Sequence, residues 1–399
     1  MRRVVITGLG VVSSIGIGWR AFWSSLIEGK SGISRITSFD TSQFKNHMGG
    51  EVKIFKPEVF IEPDKLKMMG RTSQMAVAAA KMAIEDAGLS EFEHERAGVY
   101  MGTTNGEACV LESIVRNFLE DMEDEIKPVS ITKCPNNTIP NNVALETGFF
   151  GPNGIITTAC AAGNYAIANS FNTIQLGRAD VMLAGGADSF SWLTFVGFNR
   201  LSAVAPEKCQ PFDKNRKGII TAEGAGVVLL EALDRAKRRG ANIYCEVKGY
   251  GMSCDAFHMT APLPEGVEMV IKDALRHANI SKDDVQYINA HGTGTPANDK
   301  SETAGIKKVF GSDYKKIPVS SIKSMIGHSM GAASALEAIA TALTVKYDII
   351  PPTINYETPD PECDIYCVTN KALERRVNIA LNNSFAFGGN NACLVLGKP

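Results

Sequence analysis

Along the chain, short runs of apolar and β-branched residues alternate with longer stretches whose apolar positions recur at helical spacing. The strand-like runs are VVIT (4–7), GVYMG (98–102), GIITT (154–158), VMLAGG (181–186), YCEVKGYG (244–251), VQYINAHG (285–292) and ACLVLG (392–397). Helical patterns cover 71–88, 160–176, 266–278 and 331–347. This alternation predicts an α/β protein with mostly parallel sheets. Runs such as GIITT are apolar or β-branched at successive positions, as in a strand covered by helices on both faces.

Three landmarks recur in the same order in two halves. A β run ending in Gly-Leu-Gly at the start pairs with YCEVKGYG at 244–251. GVYMGTTNG (98–106) pairs with YINAHGTGT (287–295), each a strand ending in Gly-Thr. GIITTACAAGN (154–164) pairs with NIALNNSFAFGGN (378–390). The order predicts a duplicated fold, with halves at 1–240 and 241–399. The basic run RAKRRG (235–240) reads as a helix end with its glycine stop.

Composition narrows the function. The 399 residues are 44% hydrophobic and 21% charged, enough apolar content for a packed core and too much for disorder. With 41 basic and 43 acidic side chains, the net charge of −2 argues against nucleic-acid binding. No apolar run reaches the length of about 18 residues that a membrane span needs. The opening MRRVVITGLG reads as a buried strand rather than a signal peptide. Nine scattered cysteines, an odd number, point to reduced thiols and a cytoplasmic setting. Cys363 and Cys367 form the only close pair and lack two further ligands nearby, so no metal site is expected.

Candidate chemistry collects at strand ends. In ITTACAAGNYAIANSF, a β-branched strand runs through small residues into a helix. This puts Cys160 at a helix N-terminus, where thiolate is favoured and a substrate has room to approach. Of six histidines, His291 (NAHGTGTP) and His328 (KSMIGHSMGAAS) sit at comparable turns, and Lys323 lies close before the second. A cysteine and two histidines on three such turns make a nucleophile with an acid–base pair. Gly327-His-Ser-Met-Gly331 matches a serine-hydrolase elbow, but no histidine follows Ser329, which excludes that triad order. Gly8-Leu-Gly10 lacks the third glycine of a dinucleotide loop. In the tail NNSFAFGGNNA (382–392), Phe385 and Phe387 suit either core packing or a gate beside an oxyanion donor.

Taken together, TTAC, NAHGTGTP, VSSIKSMIGH and NSFAFGG resemble the β-ketoacyl-(acyl-carrier-protein) synthases, of the elongating synthase II type, in the family's order and over essentially the whole chain. The resemblance implies the thiolase fold, two similar halves stacked as five α-β-α-β-α layers. It implies an acyltransferase catalysing decarboxylative Claisen condensation. Cys160 matches the acyl-accepting nucleophile, and His291 and His328 match the histidines acting on the malonyl group. Lys323 matches their neighbouring lysine and Glu337 its acidic partner. Phe387 matches the gate, while Thr293 and Thr295 match threonines lining the pantetheine channel. The implied partners are acyl and malonyl thioesters on an acyl carrier protein and a second copy in a homodimer. No cofactor is implied beyond the carrier's own phosphopantetheine. Lys65, Lys67 and Arg71 are candidate contacts for the acidic carrier.

The sequence also departs from the family pattern. Asn105 stands where a bulky apolar residue often lines the acyl pocket, Ala386 where glycine is usual, and Asn390 where threonine is usual. Ala386 is expected to stiffen the gate, since alanine resists positive φ. The alternatives are a coenzyme A-dependent thiolase and a non-catalytic chain-length partner of a polyketide synthase.

Overall fold

A computed structural model describes residues 2–399. The principal elements of the first half are β1 (Val4–Ser13), α1 (Arg71–Ala87), β2 (Ala97–Gly102), α2 (Ala108–Leu119), α3 (Thr138–Thr147), β3 (Asn153–Ile156), α4 (Ala162–Gln175), β4 (Val181–Asp188), α5 (Trp192–Arg200) and β5 (Gly224–Ala232). Those of the second are β6 (Cys245–Cys254), α6 (Pro264–Ala278), β7 (Tyr287–Asn289), α7 (Pro296–Phe310), β8 (Pro318–Ser320), α8 (Ala333–Tyr347), β9 (Tyr366–Cys367), β10 (Ile379–Phe385) and β11 (Asn390–Gly397).

A single hydrogen-bonded path runs β9-β8-β7-β10-β11-β6-β1-β5-β4-β2-β3. Its two halves repeat one pattern. β2 lies parallel between β3 and β4, β4 is antiparallel to β5, and β5 to β1. β7 lies parallel between β8 and β10, β10 is antiparallel to β11, and β11 to β6. The sheet is therefore mixed rather than mostly parallel. The halves join edge to edge where Val4–Ile6 pairs with Cys245–Val247.

Position in the sheet equates β1 with β6, β2 with β7, β3 with β8, β4 with β10 and β5 with β11. The first two sequence landmarks pair as the sheet pairs them. The third does not. GIITTACAAGN holds β3, whose counterpart is β8 and the KSMIGH segment after it; NIALNNSFAFGGN holds β10, the counterpart of β4. Glycine-rich strand ends look alike in sequence, and only sheet order separates them.

Helices complete five layers. α1 and α3 cover the outer face of the first half-sheet, and α6, backed by α7, covers that of the second. Between the half-sheets lie α4 and α8, each touching strands of both. Every residue of α8 from Ala333 to Val345 is buried, as expected of a helix with sheet on either side. The Gly-x-Gly pairs serve this packing and are not turns. A Cβ on Gly8 would lie 2.0 Å from the Ala83 carbonyl oxygen, and one on Gly10 1.7 Å from that of Ala79. Only glycine lets α1 approach so closely. Gly251 stands likewise against Val270 of α6, at 2.1 Å. Among the described residues, no helix is long and apolar enough to cross a membrane.

Candidate active site

β3 and β8 are equivalent strands, and each is followed by a tight turn and a central helix. Ala159–Ala161 precedes α4, and Met330–Ala332 precedes α8. The residues opening these turns, Ala159 and Met330, share a left-handed backbone at φ 46° and 51°. Cys160 is the middle residue of the first turn, and Gly331 takes the same place in the second. The two turns pack on each other between the half-sheets. The Cys160 carbonyl accepts from Ser384 Oγ at 3.0 Å, tying it to the end of β10.

Cys160, His291 and His328 converge, with Sγ and ring nitrogens within 4.8 Å of one another. The two imidazoles meet edge to face at 5.6 Å and 85°. Lys323, fully buried, forms an ion pair with Glu337 of α8. It also donates to the His291 carbonyl oxygen at 2.7 Å and reaches His291 Nδ1 at 3.3 Å. An ammonium donates only, so His291 Nδ1 accepts and its proton sits on Nε2. His328 Nδ1 accepts from the Met330 N–H at 3.2 Å, which places its proton on Nε2 as well. Glu302 of α7 grips the turn after β7, accepting from the His291 and Gly292 amides at 2.9 and 2.8 Å.

Burial sets the charge states. Both imidazoles are held well below the usual histidine range, by burial first and then by the Lys323 charge. They are neutral hydrogen-bond donors. Burial pushes the Cys160 thiol up to about 11, opposed by Lys323. Burial thus works against the thiolate that the helix start favours, while Lys323 works for it. Burial also raises Glu337 and Glu302, each to about 7. The Cys-His-His set has donors that a soft divalent metal could use, but a lysine stands immediately beside them.

A cavity of about 290 Å³ opens onto these groups, and Thr293, Thr295, Phe385, Phe387 and Phe198 help to line it. The Thr293 and Thr295 hydroxyls lie 2.8 Å apart, and Thr295 caps α7. Phe385 is buried with its ring edge-on to His291, while Phe387 is partly exposed and stacks on Phe198 at 5.5 Å. Ala386 has φ −108°, an ordinary extended value, and the left-handed positions of this segment are Gly388 and Gly389. The expected strain at Ala386 is therefore absent, and glycine's freedom is used two residues later.

Several sequence candidates lie elsewhere. Asn105 is off the lining of this cavity, with its side chain donating to Thr194 Oγ1 of α5 at 2.6 Å. Lys65 pairs with Glu146, Lys67 with Asp64, and Arg71 clamps Glu223 with two nitrogens. None of the three lines the cavity; Lys217 is the lysine that does. Sequence reasoning also passed over Glu302, Ser384 and Phe198. Glu302 had a readable signal, an acid eleven residues after His291 on a polar helix. The other two are defined only by contacts distant in sequence.

Two family models match the chain: Beta-ketoacyl synthase, N-terminal domain, over residues 1–236, and Beta-ketoacyl synthase, C-terminal domain, over residues 244–357. The 3-oxoacyl-(acyl-carrier-protein) synthase 2 of Synechocystis sp. is 41% identical over 408 residues, covering 100% of this chain and 98% of that one. Among solved structures, the ishigamide ketosynthase/chain length factor has a TM-score of 0.96 at 44% identity, covering 100% of this chain and 99% of that one. A type II polyketide acyl-carrier protein in complex with its ketosynthase has a TM-score of 0.93 at 34% identity, with full coverage of both chains. Likeness of this extent leaves neither half unaccounted for, and the chain belongs to the beta-ketoacyl synthase family.

Proposed function

We propose that this enzyme elongates acyl chains by decarboxylative Claisen condensation, with Cys160 holding the acyl group. The observation that carries the reading is the meeting of one thiol and two neutral Nε2–H donors at the floor of one cavity. In the first step, Cys160 Sγ attacks an acyl thioester on an acyl carrier protein. The acyl–sulfur bond to the carrier breaks, and the thiol proton ends on the departing carrier thiol. The Cys160 and Phe387 amides are proposed to hold the oxyanion. In the second step, a malonyl carrier loses carbon dioxide while His291 and His328 donate to the thioester oxygen that gains charge. The carbanion attacks the Cys160 thioester, β-ketoacyl carrier leaves, and the Cys160 thiolate takes up one proton. Donors fixed beforehand need no reorganisation as charge appears.

Lys323 holds His291 in place and keeps both imidazoles neutral, while Glu337 balances its charge. Thr293 and Thr295 are the proposed guides of the phosphopantetheine arm, which arrives on the carrier, and no other cofactor enters the scheme. Phe387 is the proposed gate, and Asn105, in the loop after β2 and held by Thr194, stands off the cavity. Lys217 is a better candidate than Lys65, Lys67 or Arg71 for meeting an acidic carrier at the entrance. The proposed assembly is a homodimer. Its support is an apolar face of exposed Leu111, Val115, Phe118 and Leu119 on α2 with Trp192 and Leu193 on α5. The proposed setting is the cytoplasm, in keeping with nine unpaired cysteines.

Incubation with acyl carriers of graded length, followed by intact mass measurement, tests the reading. One acyl adduct per chain, lost in Cys160→Ala, is expected. Condensing activity that survives Cys160→Ala would refute it. The ketosynthase/chain length factor relative raises a second reading, a non-catalytic partner subunit, which predicts no adduct at all. A coenzyme A-dependent thiolase would instead make acetoacetyl-coenzyme A from acetyl-coenzyme A without a malonyl donor.

A further inference from the structure

Asp188 closes β4, is buried, and accepts four hydrogen bonds. Oδ1 takes the Thr103 hydroxyl at 2.8 Å and the Asn105 amide at 3.0 Å. Oδ2 takes the Thr104 amide at 2.8 Å and the Gly331 amide at 2.7 Å. Among the described residues it has no ion-pair partner; its neighbours are neutral donors. A buried carboxylate without a cation is costly, so a demanding set of donors has to hold it.

Those donors come from two places. Thr103–Asn105 is the loop after β2. Gly331 is the middle of the Met330–Ala332 turn, the structural counterpart of the Cys160 turn. Packing there leaves no slack: a Cβ on Gly331 would sit 2.6 Å from the Thr103 carbonyl carbon and 2.7 Å from Asp188 Oδ2. The residue before Gly331 donates its amide to His328 Nδ1 at 3.2 Å. Two consecutive amides of one turn thus serve two acceptors, one Asp188 and the other His328. Whatever fixes the first fixes the second.

We infer that Asp188 is the positioning residue of His328, pinning the turn whose amide selects the Nε2–H tautomer and aims the ring at Cys160. Asp188 touches no substrate atom; it acts through Gly331 and Met330. The inference rests on the proposed role of His328 as a donor to the malonyl thioester oxygen. It also separates two elements of the site, because Cys160 acylation does not require the His328 donor.

Asp188→Asn keeps the shape but replaces an acceptor oxygen with a donor amide. Malonyl-carrier decarboxylation should fall about 10-fold to 100-fold in kcat with little change in KM. Acyl adduct formation on Cys160 should stay within about threefold, and the ¹⁵N signals of His328 should depart from the Nε2–H pattern while those of His291 hold. Combined with His328→Ala, the substitution should add no further loss. Equal falls in adduct formation and decarboxylation, or losses that multiply with those of His328→Ala, would overturn the inference. If Asp188→Asn does not fold, ¹⁵N-histidine spectra of the unmodified enzyme still decide, since a His328 proton on Nδ1 is incompatible with it. A native enzyme that takes no acyl group at Cys160 would refute the proposed function instead, leaving the tautomer result to stand on its own.

Discussion

Lys323 Nζ lies 2.7 Å from the carbonyl oxygen of His291 and 3.3 Å from its Nδ1, so one ammonium grips both the backbone and the ring of the same residue. The same lysine neutralises Glu337, and neither has exposed surface. Lys323→Ala would leave a buried carboxylate without its cation. It should cost about 3–5 kcal/mol in urea unfolding at neutral pH. Glu337→Gln, which removes the charge but keeps an acceptor, should be milder in the same titration.

Replacing either imidazole separates the two steps. His291→Ala or His328→Ala should slow malonyl decarboxylation by about 10²–10⁴-fold. The Cys160 adduct should still form, as read by intact mass. If the adduct disappeared along with carbon dioxide release, the histidines would also be serving acyl transfer.

Histidine burial has a signed consequence for stability. Below the ordinary histidine value the unfolded chain binds a proton at His328 that the folded chain refuses, so this residue costs stability as pH falls through and below 6.5. His328→Asn removes that cost. The stability difference, native minus variant, should tilt against the native protein by up to about 1.4 kcal/mol per pH unit in that range. Glu302 has the opposite sign, with a pKa raised by burial to about 7, but it is present in both proteins and cancels in the difference. Parallel denaturation curves from pH 5 to 8 decide it; a difference independent of pH contradicts the neutral imidazole.

Gly331→Ala tests how tightly the second turn is seated. The added methyl meets backbone on one side and the Asp188 carboxylate on the other. A loss of about 1–3 kcal/mol in thermal unfolding is expected, together with slower decarboxylation.

Ala386→Gly should bring no gain. The backbone there is extended at φ −108°, so glycine relieves nothing and adds freedom to the unfolded chain. A loss of about 0.4–1 kcal/mol is expected, with condensation rates unchanged. Faster turnover would mean that the gate visits a left-handed conformation at this residue.

The chemistry was more legible than the scaffold. Cys160, His291 and His328 stand at strand ends where short motifs expose them, and Lys323 lies within one of those motifs. Long apolar strands and the Ala-rich α8 declared themselves by pattern. The polar helix α7 did not, because the first half of its buried face carries Asn298, Asp299, Glu302 and Thr303, and Ile306, Val309 and Phe310 follow only in the second half. β8 spans only Pro318–Ser320, too short for a periodic signal. The third pairing of the repeat failed because strand counterparts are set by sheet order. Charge in a sequence also does not reveal that Lys65, Lys67 and Arg71 each already face an acidic side chain. Arg71 and Glu223 are 152 residues apart.

Cys160 and Gly331 occupy matching turns, one carrying a thiol and the other a hydrogen. A scaffold built twice could in principle store two acyl groups. Here the second seat is closed by the carbonyl of Thr103 and the carboxylate of Asp188, at distances that admit no side chain. On the proposed function, the stoichiometry of loading is then one acyl group per chain, and every growing chain has a single covalent address.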